Sequence, residues 1–127
     1  ARGVVDQKWY DFEVDNKVNL YTANDLKKNG IIHYLNLIKE RSVGKKIMYY
    51  ISFDIDGLDM AYVFGTGTPQ FNGLSPYEVN EMFMQLTPLD ICGFDIVELN
   101  PKLDDSHSAF VVACELLYHF LAVGYKK

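Results

Sequence analysis

Residues 47–69 read IMYYISFDIDGLDMAYVFGTGTP. The first part, residues 47–55, is almost continuously apolar and aromatic, which is typical of an inner strand buried on both faces of a parallel sheet. From Asp56 to Leu74, Gly, Thr, Pro and Asn accumulate and no periodicity survives, which predicts a long loop. Loops of this length in a compact domain tend to be functional, so we expect a site where this strand ends.

Helical patterns lie on both sides of this segment. Residues 24–41 carry an apolar stripe at helical spacing that is interrupted by Asn29 and Gly30, which predicts two short helices or one kinked helix. Residues 75–78, SPYE, form a capping box with proline at the first helical position. They predict a helix that runs to about Leu86.

A second strand and a final helix complete the pattern. Residues 91–99 read ICGFDIVEL, again an apolar strand, and about residues 106–123 form a strongly apolar helix. Alternating helices and strands indicate an α/β protein with a mostly parallel sheet covered by helices, a three-layer αβα arrangement. A chain of 127 residues that is 49% hydrophobic can bury one compact core, so we expect one domain or part of one.

Charge and cysteine content exclude several functions. The net charge is -5, which disfavours nucleic acid and anionic membrane surfaces as partners. Cys92 and Cys114 are far apart and lack the spacing of a zinc site or of a disulfide framework, which favours a reducing, cytoplasmic location. No apolar run approaches the roughly 20 residues that a membrane span needs.

Acidic residues follow the first strand directly. Side chains two apart on a strand point the same way, so the carboxylates of Asp54 and Asp56 are expected to face one site. The carboxyl ends of parallel strands are where open sheets bind ligands, and paired carboxylates there attract a hard divalent cation. The alternative is that they cap a turn. Asp59 is expected to accept hydrogen bonds from backbone amides of the loop.

Three motifs carry a resemblance to a known family. They are SFDIDGLDMAYVFGTGTP at 52–69, NGLS at 72–75 and GFDIVELNP at 93–101. In this order and spacing they resemble the ureohydrolases, the family of arginases, agmatinases and formiminoglutamases. The resemblance covers about residues 46–123. It implies an arginase-like α/β fold, with residues 1–127 forming the C-terminal portion of a single domain.

The resemblance also implies a metal centre. Asp54 and Asp56 match ligands of a binuclear manganese cluster, with Asp54 bridging the two Mn²⁺ ions. Such a cluster lowers the pKa of bound water and produces a hydroxide nucleophile near neutral pH. The implied reaction is hydrolysis of a guanidino or formimino compound, with L-arginine, giving ornithine and urea, as the first expectation and agmatine or formiminoglutamate as alternatives.

Further residues match the family outside the metal ligands. Glu98 matches the glutamate that binds the cationic head of the substrate, and Thr68 matches a threonine that lines the active site. Asp95 matches a further aspartate, which we interpret as a structural group holding a neighbouring loop. The sequence departs from the family at Met60 and Phe64, where proline is usual, and at Asn72, where the family has glycine. These positions shape the loop wall, so the substrate preference is expected to differ from that of a standard arginase.

The sequence departs from the family in its metal ligands. Two segments that carry histidine and aspartate ligands, both upstream of the matched region in the family, are absent here. His33 and His119 lie in helical patterns and His107 in a polar loop, so none replaces them. We therefore expect a fragment whose remaining ligands come from elsewhere, with a degenerate, non-catalytic relative as the alternative.

Other functions stay open on the residues alone. Paired aspartates after a strand also occur in flavodoxin-like receivers and phosphatases, although the Gly-Thr-Gly-Thr-Pro and Glu-Leu-Asn-Pro motifs would then have no role. A catalytically inactive arginase-like subunit would serve a structural or regulatory role. The resemblance implies a homo-oligomer, a trimer or hexamer, but the apolar residues of the final helix are expected to serve the core before an interface.

Overall fold

The computed structural model describes residues 6–16 and 18–125. Within these residues the chain forms five α-helices and two strands, with two short 3₁₀ turns. In chain order they are α1 Gln7–Asp15, α2 Ala23–Asn29, α3 Ile31–Ser42, β1 Tyr49–Asp54, the turn Ile55–Gly57, α4 Pro76–Leu86, β2 Ile91–Val97, the turn Pro101–Leu103, and α5 Ser108–Tyr125. The sequence patterns gave no indication of α1.

The predicted break in the first helical segment is confirmed as two separate helices. Thr22 caps α2 through a capping box with Asp25, whose backbone N–H donates to the Thr22 hydroxyl at 3.1 Å. Gly30 ends α2 with a φ of 81°, a left-handed conformation that glycine adopts without steric penalty. Because this residue turns the backbone away from the helical path, α3 starts in a new direction.

The predicted start and end of the next helix are also confirmed. The Ser75 hydroxyl accepts from the backbone N–H of Glu78, and the Glu78 carboxylate accepts in return from the Ser75 backbone N–H at 2.8 Å. Pro76 occupies the first turn, where its missing N–H leaves no hydrogen bond unmade. The helix ends at Leu86, as the Thr87-Pro88 pair indicated.

The two strands are parallel neighbours, with α4 in the connection between them. The register pairs Ser52 with Asp95 and Asp54 with Val97, so the carboxyl ends of both strands meet at one edge. This confirms the predicted α/β class with a parallel sheet. It also places the loop after β1 and the loop after β2 side by side.

Side chains from β1 and β2 share one core with α3, α4 and α5. Phe120 of α5 stacks on Phe94 of β2 with ring centroids 4.3 Å apart, and it meets Phe83 of α4 edge to face at 4.7 Å. Burial of such rings supplies most of the driving force for folding. The final helix serves this core in part, since Leu116 and Phe120 are buried but Phe110, Val111, Leu117 and Leu121 remain exposed.

The prediction that β1 is buried on both faces is wrong for this chain. Exposure alternates along β1, and Tyr50 is 61% exposed. Ile51 and Phe53 point into the core, whereas the opposite face carries Tyr50, Ser52 and Asp54. Among the described helices, three contact the core, and they cover one face of the sheet only; these are α3, α4 and α5. Some apolar side chains of β1 therefore stay exposed in this chain.

Cys92 and Cys114 are both free thiols. Among the described residues, no helix combines the length and the apolar character that crossing a membrane would require.

Candidate active site

Asp54 and Asp56 lie where β1 ends. Asp54 is the last residue of the strand, and its Oδ1 accepts from the backbone N–H of Asp56 at 2.8 Å. Asp56 itself lies in the 3₁₀ turn Ile55–Gly57, so strand alternation does not explain its direction. Both side chains nevertheless line the same cleft, because the turn is capped and held by Asp54.

Both carboxylate oxygens of Asp56 accept hydroxyl hydrogen bonds from the Gly-Thr-Gly-Thr-Pro loop. Thr66 donates to Oδ1, and Thr68 donates to Oδ2 at 2.5 Å. Thr66 is only 2% exposed, whereas Thr68 lies at the surface of the cleft. Two donors from one loop fix the plane of the carboxylate, because rotation about its side-chain torsions would break at least one of these bonds. Sequence reasoning assigned no role to Thr66.

The loop that carries these hydroxyls is fixed against the start of α5. The carbonyl of Gly65 accepts from the backbone N–H of Asn100 at 2.7 Å. A Cβ at position 65 would lie 2.6 Å from the Cβ of Ala109 and 3.2 Å from that of Asp104. Glycine is therefore required for this close approach, and the approach positions Thr66 beside Asp56.

Asp104 is a buried carboxylate that sequence reasoning missed. Its Oδ1 accepts from the Ser106 hydroxyl at 2.5 Å and its backbone N–H at 3.0 Å, and its Oδ2 accepts from the Ser108 hydroxyl at 2.8 Å and the Ala109 N–H at 3.0 Å. The Ser106 hydroxyl, with these other donors, holds the pKa of Asp104 far below its ordinary value. The available signal was an Asp-Asp-Ser-His-Ser run directly before an apolar helix, typical of a helix start.

Asp59 behaves as predicted. It accepts from the backbone N–H of Ala61 at 2.9 Å and of Gly73 at 3.0 Å. These backbone donors hold the pKa of Asp59 below its ordinary value. Asp59 therefore ties the beginning of the long loop to its end, where Leu74 forms a bridge with Leu58, and it shapes the cleft without facing it.

The cleft has a volume of about 390 Å³. Two of its walls are the turn after β1 and the long loop, and the third is α2. Of the predicted site residues, Asp54, Asp56 and Thr68 line it. Lys27 and Asn72 are further lining residues, and sequence reasoning gave Lys27 no role. The complete lining is Ala23, Leu26, Lys27, Asp54, Asp56, Gly57, Thr68, Gln70, Asn72, Gly73 and Leu74.

Glu98 lies at the same sheet edge but outside the lining of this cleft. Val97 pairs with Asp54, so Glu98 is the next residue beyond the neighbouring strand end. Its φ is 62°, a left-handed conformation that is unfavourable for a residue with a Cβ, and such strain clusters at functional sites.

Asp95 has a different structural role from the predicted one. Its carboxylate accepts from the Ser52 hydroxyl at 2.6 Å and the Tyr50 hydroxyl at 2.9 Å, and the second bond raises the pKa of Tyr50. Asp95 therefore holds the adjacent strand, β1, and not a neighbouring loop. The reason is the parallel register, which places Ser52 directly opposite Asp95.

The described histidines do not complete a metal site. His119 stacks on Phe83 and its Nδ1 donates to the Glu115 carbonyl at 2.7 Å, while His33 contacts Tyr34. His107 is exposed, ahead of α5. Across residues 6–16 and 18–125, no three His, Cys, Asp or Glu side chains are grouped so as to hold a metal ion.

Asp54 and Asp56 nevertheless suit a cation. In the described part of the chain, neither forms a salt bridge with a lysine, arginine or histidine. Each carboxylate oxygen has about two lone pairs, so the hydrogen bonds from Asp56 N–H, Thr66 and Thr68 leave capacity for a further ligand. Two adjacent carboxylates without a neutralising partner favour a divalent cation with hard-ligand preference.

A parallel sheet with a polar cleft at the carboxyl ends of its strands is the arrangement typical of α/β proteins that bind ligands at the sheet edge. Known proteins make the assignment more specific. Residues 1–122 match the sequence model of the Arginase family. The chain belongs to the arginase family, as its motifs predicted.

Individual relatives support this family assignment. The chain is 34% identical to the mitochondrial guanidino acid hydrolase of Homo sapiens over 112 residues, which is 88% of this chain and 31% of that protein. It is 46% identical to the mitochondrial agmatinase of Gallus gallus over 74 residues, 58% of this chain and 22% of that protein. The chain therefore spans about a third or less of the length of these relatives.

A solved structure supports the fold. The proclavaminate amidino hydrolase of Streptomyces clavuligerus superposes with a TM-score of 0.84 and 31% identity, covering 96% of this chain and 39% of that one. The predicted arginase-like α/β fold is therefore confirmed. The paired-aspartate receiver or phosphatase alternative is excluded by the family assignment.

Proposed function

We propose that the whole protein to which this chain belongs is a metal-dependent ureohydrolase that hydrolyses a guanidino compound. Residues 1–127 would form the C-terminal portion of a single arginase-like domain. The observation that carries the proposal is the pair Asp54 and Asp56 at the carboxyl edge of the sheet, with Asp56 oriented by two threonine hydroxyls and neither acid neutralised by a described basic side chain.

Manganese is the proposed metal. Asp54 and Asp56 would hold a binuclear Mn²⁺ centre together with ligands from other parts of the whole protein. When bound, such a centre supplies Lewis-acid activation of a water molecule. Thr66 and Thr68 would keep Asp56 in one orientation, which reduces the entropy lost when the carboxylate takes up a cation.

Glu98 and Thr68 are the proposed substrate-binding residues. A guanidinium group donates paired N–H bonds to a carboxylate, which suits Glu98 at the adjacent strand end. The Thr68 hydroxyl donates its hydrogen to Asp56, so its oxygen is left as an acceptor toward the cleft. Substrate N–H groups would therefore meet acceptors on both sides.

The candidate substrates share a planar, nitrogen-rich head and differ in their tails. L-arginine, agmatine and guanidino acids all carry a guanidinium group, and the names of the two relatives include the last two. Formiminoglutamate carries the related formimino group.

We further propose a homo-oligomer, a trimer or hexamer. A cytoplasmic location stays a prediction, since both relatives are mitochondrial by name.

The test uses the whole protein with and without Mn²⁺. Release of urea from arginine, agmatine and 4-guanidinobutyrate, or of formamide from formiminoglutamate, is expected only with metal. Asp54→Ala and Asp56→Ala should each lose bound Mn²⁺ and turnover, whereas Asp105→Ala, an exposed aspartate before α5, should retain both. Glu98→Ala should keep its metal and raise KM or lower kcat. Equal loss of metal in Glu98→Ala would contradict these roles.

The second candidate is an arginase-like subunit without catalytic activity. The observation behind it is that, among the described residues, no third His, Cys, Asp or Glu side chain joins Asp54 and Asp56 in a metal-binding group. Two carboxylates alone hold Mn²⁺ weakly, so this candidate predicts little bound metal in the whole protein. A stoichiometry of two tightly bound Mn²⁺ ions per chain would exclude it.

A further inference from the structure

Lys27 brings a positive charge to the wall of the acidic cleft. It lies on α2, and among the described lining residues it is the only basic one. Two described contacts hold α2 beside the cleft. Lys27 Nζ donates to both carboxylate oxygens of Glu78, at 3.0 and 2.8 Å, and Asn72 Nδ2 donates to Asn24 Oδ1 at 3.0 Å. These contacts hold the lysine at a defined place.

The ion pair presents its positive end to the cleft. Lys27 lines the cleft and Glu78 does not. Glu78 is also committed elsewhere, since its Oε2 accepts from the backbone N–H and the hydroxyl of Ser75, both at 2.8 Å. Burial acts to raise the pKa of Glu78, but the hydrogen bonds from Lys27 and Ser75 outweigh it and the pKa is lowered. Glu78 therefore stays ionised and holds the ammonium group in place.

Lys27 retains capacity for a ligand. An ammonium group has three N–H donors, and Glu78 uses at most two of them. The side chain is 39% exposed, so an anion can reach the remaining donor. A negatively charged group in the cleft would gain a charge-assisted hydrogen bond, whereas a second ammonium group would be repelled.

The cleft is therefore bipolar, with Asp54 and Asp56 at one part of its wall and Lys27 at another. With Mn²⁺ held by Asp54 and Asp56, Glu98 would take the cationic head of the substrate and Lys27 would meet its tail, so a substrate with a cationic head and an anionic tail fits this site. Guanidino acids have such a charge pattern, while agmatine carries a positive charge at both ends. Arginine is intermediate because its tail carries both an ammonium and a carboxylate.

We propose that Lys27 is a specificity-determining residue that selects guanidino acids over guanidino amines by binding the tail carboxylate. This inference rests on the proposed function, since it assumes that the guanidinium head lies near Asp54 and Asp56. The residue that discriminates between substrates would therefore lie on α2 and not on one of the loops that follow the strands.

The experiment compares 4-guanidinobutyrate with agmatine on the whole protein with Mn²⁺. The two compounds have similar length and opposite tail charges. The wild type should have the higher kcat/KM for 4-guanidinobutyrate, and Lys27→Met should lower the ratio of the two kcat/KM values about tenfold, the size expected of a charge-assisted hydrogen bond. The loss should appear in KM, because the tail contact is the same in the ground state and the transition state.

Two control variants separate recognition from stability. Lys28→Met removes the neighbouring charge on α2, which does not line the cleft, and should leave the ratio unchanged. Glu78→Gln removes the negative charge but keeps a side-chain oxygen that accepts from Lys27 Nζ, so the lysine stays in place and the preference for 4-guanidinobutyrate should persist. If Glu78→Gln lowered the ratio as much as Lys27→Met, the effect would come from the placement of α2, and the proposal would be overturned.

Calorimetric measurement of the binding of the same two compounds separates failure of the inference from failure of the proposed function. Selective binding of 4-guanidinobutyrate that Lys27→Met abolishes, without any urea release, would support the inference and overturn the proposed function. Urea release from both compounds with equal kcat/KM, unaffected by Lys27→Met, would support the proposed function and overturn the inference. Failure of both compounds to bind would overturn both.

Discussion

Thr66 donates its hydroxyl hydrogen to Asp56 Oδ1 from a position that is almost completely buried. Thr68 supplies the second hydroxyl to the other oxygen from the cleft side. One carboxylate is thus held between a buried donor and an exposed one. The buried donor fixes the orientation, while the exposed one lines the cleft.

Thr66→Val should weaken Mn²⁺ binding by the whole protein about tenfold, the lower end of what removal of a group that orients a metal ligand produces. Valine has the shape of threonine but leaves Asp56 Oδ1 without its donor. Thr66→Ser keeps the hydroxyl and should bind Mn²⁺ nearly as the wild type does. Titration with Mn²⁺, followed by electron paramagnetic resonance of the free ion, measures the affinity. Indistinguishable affinities for the valine and serine variants would show that the hydroxyl does not orient Asp56.

Gly65→Ala should lower the free energy of unfolding by about 1–3 kcal/mol, the usual cost of overpacking. The new Cβ would lie 2.6 Å from that of Ala109, so the loop or the start of α5 must shift. Gly67→Ala is the matched control two residues away, because a Cβ there meets nothing within 4 Å. Urea denaturation of both variants gives the comparison, and a Gly67→Ala variant as unstable as Gly65→Ala would refute the packing argument.

Asp104→Asn should lower the melting temperature at neutral pH, because the four donors around the carboxylate favour its charged form. Since the pKa of Asp104 in the folded protein lies below its ordinary value of 3.8, the unfolded chain binds a proton at a higher pH than the folded one. The stabilisation by Asp104 is therefore fully present above about pH 5 and is lost as the pH falls through 3.8 toward the folded pKa.

The measurement is the difference in melting temperature between the wild type and Asp104→Asn across this pH range. We expect a constant difference near neutral pH that shrinks in acid. Asp105→Asn, at the exposed neighbouring position, should show no comparable difference. A difference that grew on acidification would have the wrong sign for a carboxyl with a lowered pKa.

The free energy of unfolding of Glu98→Gly should equal or exceed that of Glu98→Ala, by up to about 1 kcal/mol. The reason is that only alanine places a Cβ in the left-handed region. At an ordinary exposed position the order is reversed, since glycine has more conformational freedom to lose on folding. Lys102, which has no positive φ, provides that reference. Chemical denaturation of Glu98→Gly, Glu98→Ala, Lys102→Gly and Lys102→Ala measures both differences. If alanine were the more stable variant at both positions, the backbone strain at Glu98 would be contradicted.

Much of the fold could be predicted from local sequence. The capping box at Ser75, the break at Gly30 and the two apolar strands all lie where the sequence indicated. These features depend on residues within a few positions of one another, so the chain encodes them locally. The family assignment was likewise predictable, because the motifs around Asp54 and Glu98 keep their order and spacing.

The site was predicted less completely. Asp54, Asp56 and Thr68 do line one cleft, but Asp56 reaches it through a 3₁₀ turn and not along a strand. Thr66 was missed because the hydroxyls of a Gly-Thr loop look alike in sequence, and only burial distinguishes them. Asp95 was assigned to a loop because its partner across the sheet depends on strand register.

The sequence by itself determined the class of fold, the positions of the helix ends and the acids that mark the sheet edge, since periodicity, capping and turn chemistry act between near neighbours. Only the tertiary structure decided that Gly65 contacts Ala109, that Asp95 holds β1 and that Lys27 faces the acidic cleft with Glu78 behind it. The physical reason is distance along the chain. Lys27 and Glu78 are 51 residues apart, and the tertiary arrangement of α2 and α4, not any local pattern, brings Lys27 Nζ within 2.8 Å of the Glu78 carboxylate.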